Sequence, residues 1–164
     1  MARKNRALRA LFPLVFFGLA AAAAAPCVPI EGGAVEVSWV VRSQDGRAIT
    51  DCGCAEPRID GVRLLLSKIS DGDGGGGQAP PLTFDFECGR QTGATPFRIP
   101  EGTYAVSLQA LDAAATPLAA VMAPAPILRD VIHGRPTEIE ALPLVAQCAS
   151  RCTGSNKSGV CTRQ

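Results

Sequence analysis

The chain is 164 residues long, enough for one domain with a modest core. Apolar residues make up 47%, a figure inflated by alanine and an N-terminal apolar run, and the formal net charge is +1. Residues 1–26 hold four cations and no carboxylate, leaving 12 basic against 15 acidic residues and a net charge of about −3 in the rest. That excess of acid lacks the basic footprint of a nucleic-acid binder.

The first element is an address. Arg3, Lys4, Arg6 and Arg9 form a positive stretch, and Leu11 to Ala25 is then free of charge. This order, ending in small residues, is that of a cleavable export signal. The run is short for a membrane span, and Pro13 and the alanine tract weaken it further. Residues 1–26 are therefore expected to be removed, with 27–33 as a linker. Ala24-Ala25-Pro26-Cys27 resembles the lipobox of bacterial lipoproteins, whose cysteine becomes lipidated, although Pro26 stands where that family has Gly, Ala or Ser. Ordinary cleavage after Ala24, through Ala22-x-Ala24, is the rival.

From Ala34 the apolar pattern has period two, as a strand with one buried face requires. Val35, Val37, Trp39 and Val41 share a face, as do Val62, Leu64 and Leu66. Leu82, Phe84 and Phe86 alternate with Thr83, Asp85 and Glu87, and Tyr104, Val106, Leu108 and Ala110 form the fourth run. A weaker run covers Leu118 to Met122, and Ile127 to Ile132 and Glu138 to Val145 complete the set. Pro143 cannot donate a ladder bond, so the last strand should be an edge or carry a bulge there. Turn chemistry separates the runs: Gln44-Asp45-Gly46, the glycine-rich stretch from Asp71 to Pro81, and Pro100-Glu101-Gly102, where Gly102 suits a positive φ.

About seven short strands and no amphipathic helix predict an all-β antiparallel sandwich over 34–146, with 147–164 as an exposed tail. Val37, Trp39, Leu64, Phe84, Phe86, Tyr104, Val106 and Leu108 should face its core. The stretch from Ile99 to Val106 resembles the proline–x–glycine–x–tyrosine hairpin entry of transthyretin-like, carboxypeptidase-regulatory-type, Ig-like sandwich modules. Val106 to Leu118 is similar to the strand, turn and new strand that follow it, and Gly134 to Ile139 to the entry of a final strand. The resemblance implies a non-catalytic structural or binding unit and lends no catalytic residue.

The seven cysteines are Cys27, Cys52, Cys54, Cys88, Cys148, Cys152 and Cys161. Behind an export signal they should pair rather than hold metal. If Cys27 takes lipid, six remain for three bridges. The expected connectivity is Cys52–Cys88, Cys54–Cys148 and Cys152–Cys161, one of fifteen pairings.

The other constellations favour bland readings. Asp71-Gly72-Asp73 matches the opening of a calcium loop but lacks its later ligands and closing glutamate. His133 is the only histidine and sits in a turn sequence with no catalytic motif around it. Asp85 and Glu87 would share one face of a strand, as paired glycosidase carboxylates could, but alternation with Phe84 and Phe86 makes them its solvent side. No phosphate-binding or dinucleotide motif occurs, and no cofactor or metal is expected. The function expected is a non-catalytic, membrane-tethered envelope protein anchored through Cys27, structural or partner-binding. A secreted module for carbohydrate or protein is the alternative, and a small envelope hydrolase stands third.

Overall fold

A computed structural model describes residues 30–69, 79–150, 152, 154–155 and 160–161. Cys27, Asp71 and Asp73 lie outside them. The described residues form eleven strands: β1 (Ala34–Ser43), β2 (Ala48–Ile49), β3 (Ala55–Glu56), β4 (Gly61–Lys68), β5 (Leu82–Glu87), β6 (Thr92–Ala94), β7 (Gly102–Leu111), β8 (Ile127–Val131), β9 (Pro136–Cys148), β10 (Gly154–Ser155) and β11 (Val160–Cys161).

The strands make two sheets packed as a sandwich. One has the order β5-β4-β7-β8, antiparallel throughout. The other runs β10-β11-β2-β1-β9-β3, with β6 also pairing β1. Two contacts in this larger sheet are parallel, β1 with β9 and β11 with β2. The period-two alternation produces the core directly. Val35, Val37, Trp39 and Val41 of β1 meet Leu64, Leu66, Val106 and Leu108 from the facing sheet, all buried. Phe84 and Phe86, expected in the core, lie on the edge strand β5 and are only partly buried against it. Phe86 stacks on Trp39 with ring centroids 6.0 Å apart. It leaves no room beside β6, where a Cβ on Gly93 would stand 2.6 Å from its ring.

Tyr104 explains the geometry at the entry to β7. Its ring is buried, and its hydroxyl donates to the Pro100 carbonyl at 2.7 Å, closing a tyrosine corner. Gly102, between them, takes φ +143, as its turn position suggested.

β9 carries both features expected around Pro143. Its register against β1 shifts between Val37 and Trp39, so that exposed Glu140 and Ala141 oppose one position and Leu142, Leu144 and Ala146 return to the core. Val145 exchanges two backbone bonds with Met122 on the side away from β1. Pro143, two residues earlier, turns its nitrogen to that same open side, where no ladder bond is required.

Two expectations are corrected. Leu118–Met122 is not a strand; with prolines at 117, 124 and 126, it crosses from the edge of β7 to the edge of β9 and forms only isolated bridges. The described residues after 148 are not uniformly exposed, as a tail would be: Cys152 and Cys161 are buried, and β11 extends the larger sheet. Residues 31–33, within the expected linker, are tied to the sandwich by backbone bonds. The Glu31 N–H donates to the Phe97 carbonyl, and Gly33 bridges Ile99.

Candidate functional site

The six described cysteines gather at one pole of the sandwich, where β1, β5, β7 and β9 end and β4 begins. Cys52 pairs with Cys88, as expected. The other two expected bridges exchange partners: Cys54 joins Cys152, and Cys148 joins Cys161. The register explains the exchange. Ala55, the first residue of β3, stands opposite Cys148, while Cys54 belongs to the short 3-10 turn before it. A turn closed by the Cys152 N–H on the Ala149 carbonyl then brings Cys152 back to Cys54. β11, held in place by β2, delivers Cys161 to Cys148.

The same pole holds a cleft of about 450 Å³. The Cys52–Cys88 bridge and Ile59 line it beside Thr50, Asp51, Arg58, Asp60 and Gly89. Local sequence builds it economically. The Asp51 carboxylate caps the short 3-10 turn Cys52–Cys54 by accepting the Gly53 N–H at 2.8 Å. Arg58 and Asp60 form an ion pair at 2.7 Å, and the Asp60 carbonyl accepts the Cys88 N–H. A guanidinium and two carboxylates around a disulfide floor suit hydrogen bonding to a polar partner. The Asp51 and Arg58-x-Asp60 spacing was visible in the sequence, but only the Cys52–Cys88 closure brings these residues into one concavity.

A second recess, of about 290 Å³, is apolar. β8 pairs only with Gly102–Val106 of β7, so the far half of that strand is covered by the crossing segment instead. Leu108, Ala110, Leu118 and Val121 line the space behind it.

The remaining sequence candidates do not converge. Asp85 is clamped by Arg63 through two bonds of 2.7 Å. The Arg63 hydrogen bonds hold its carboxyl below the usual carboxylate range, which suits a fixed anion and not a general acid. Glu87 pairs with Arg90 at 3.3 Å. His133 is exposed in the turn between β8 and β9, far along the strands from the cleft. Trp39 is buried and unavailable for stacking on a sugar. Among the described residues, no cluster of three or more His, Cys, Asp or Glu could hold a metal ion, and no helix is long and apolar enough to cross a membrane.

Comparisons with protein-family models, curated proteins and solved structures returned no match.

Proposed function

We propose that the protein is a lipid-anchored component of a bacterial cell envelope, exported by residues 1–26 and tethered through Cys27, whose β-sandwich binds a partner without catalysing a reaction. The carrying observation is the cysteine count. The three bridges consume Cys52, Cys54, Cys88, Cys148, Cys152 and Cys161, so Cys27 is the one cysteine of the seven that they do not use. It lies in the stretch that resembles a lipobox, where a lone cysteine has a chemical role as the acylated mature N-terminus.

Two further features support the reading. The bridges need an oxidising compartment, which export supplies. The tyrosine corner of Tyr104 accords with the resemblance to transthyretin-like and Ig-like modules, which serve as structural or binding units. The polar cleft beside Cys52–Cys88 is the surface we assign to the partner.

The test is intact mass and membrane partitioning of the protein made in an export-competent bacterium. The expected product begins at Cys27, carries lipid mass and follows the membrane fraction; Cys27→Ser should release it. A soluble product cut after Ala24, with a free Cys27 thiol, would overturn the anchor and leave a secreted binding module.

A further inference from the structure

The sandwich has two unlike poles. All six bridged cysteines and the polar cleft lie at one. At the other, β1, β7 and β9 begin and β4 and β8 end. Here the described chain starts, and here three large apolar side chains face solvent: Ile30, 55% exposed, Ile132, 46%, and Ile69, 39%. Their positions follow from the hydrogen bonding. The Ile69 N–H donates to the Thr103 carbonyl, one residue past the start of β7. Ile132 directly follows Val131, which pairs with Gly102. Ile30 lies beside Gly134, whose N–H donates to the Gly32 carbonyl, so the Ile132–Arg135 turn is pinned against the N-terminal segment. Lys68 and Arg98 reach the same pole, where the Lys68 ammonium donates to the Glu101 carbonyl and Arg98 pairs with Glu31.

We infer that this pole is a membrane-contact surface, which seats Ile30, Ile69 and Ile132 in the headgroup region of a phospholipid bilayer and directs the cleft away from it. The inference rests on the proposed acylation of Cys27. Its physical basis is the tether: only Val28 and Pro29 separate Cys27 from Ile30. Three extended residue steps span about 10–11 Å, so a lipidated Cys27 holds Ile30 within that distance of the anchor point. Burial of an apolar face at a bilayer interface extends roughly 5–10 Å, a depth that exposed side chains at the end of such a tether can reach. The ten residues of β1 then place the opposite pole some ~30 Å from the surface, at about 3.3 Å per residue. The polar cleft at that pole then faces away from the bilayer.

Fluorophore depth measurement tests this on the acylated full mature chain, reconstituted in vesicles of phosphatidylethanolamine and phosphatidylglycerol. An environment-sensitive label is placed by Ile132→Cys, separately by Ile69→Cys, and at the other pole by Ala113→Cys, an exposed turn position. The labels at 132 and 69 should be quenched by spin-labelled lipid and show several-fold weaker quenching by aqueous iodide than the label at 113. Intact mass of each preparation reports the acyl group and the three bridges. Acylated, bridged protein with equal iodide quenching at all three positions overturns the contact surface and leaves the anchor standing. Protein without lipid mass overturns the anchor and this inference together.

Discussion

The indole N–H of Trp39 donates to the carbonyl of Cys88 at 3.0 Å. This bond joins the middle of β1 to the turn that carries the Cys52–Cys88 bridge, and so ties the core to the wall of the cleft. Trp39→Phe keeps most of the apolar surface and removes one of that carbonyl's two donors, the other being the Gln91 N–H. The expected cost of the lost bond is about 0.5–1.5 kcal/mol, the net worth of one hydrogen bond. Urea unfolding of the oxidised protein, followed by far-UV circular dichroism, measures it; an unchanged midpoint would mean that the bond contributes nothing.

Neighbouring strands of the smaller sheet differ in how firmly they hold their large side chains. Leu64 is fully buried, whereas Phe84 lies half-buried on the edge strand β5. Leu64→Ala should cost about 2–5 kcal/mol, and Phe84→Ala less than the ~3–5 kcal/mol typical of a fully buried phenylalanine. Melting temperatures of the two variants check the order: Leu64→Ala falls further although it removes the smaller side chain.

Bridge removal should be graded by loop length. Cys54 and Cys152 are 98 residues apart, Cys148 and Cys161 only 13. In the loop-entropy account, losing the first costs about 4–5 kcal/mol and losing the second about 3 kcal/mol. Paired Cys→Ala variants compared by denaturant unfolding give the ranking. Non-reducing peptide mapping of the parent protein should recover Cys54 linked to Cys152, and denaturing thiol labelling should find none of the six free.

Acid should weaken one surface contact in a defined direction. Asp85 has an ordinary value of 3.8, lowered in the fold by the Arg63 hydrogen bonds. A carboxylate whose folded pKa is depressed adds stability that is complete above its unfolded value and is lost as pH falls through the folded value. Asp85→Asn should therefore flatten the stability profile below about pH 4, near the unfolded carboxylate pKa, and leave its slope around neutrality unchanged. The Asp85 side chain is 44% exposed, so solvent screening keeps the effect small and added salt should shrink it further. A full pH series of urea midpoints with and without salt is the measurement.

Much of this architecture was legible from alternation alone. Val35 to Val41, Val62 to Leu66 and Tyr104 to Ala110 repeat apolar residues at the strand period, and such a pattern can bury its face only against another sheet. Pro143 announced a strand with an unneeded donor, and Gly102 a backbone position hostile to a side chain. The charge and apolar order of residues 1–26, and the odd number of cysteines, likewise belong to the sequence. Pairing was another matter. Which strand meets which, and hence that β1 runs parallel to β9, depends on contacts across a hundred residues that carry no local signal. The Cys54–Cys152 and Cys148–Cys161 bridges depend on that register, since a shift of one residue turns a sulfur to the other face. Phe84 and Phe86 had the same alternation as buried residues, but β5 became an edge strand and left them half covered. The gathering of every bridge and the polar cleft at one pole, with Ile30, Ile69 and Ile132 at the other, arises from strand direction. Only the assembled sheets decide which ends of the strands lie together.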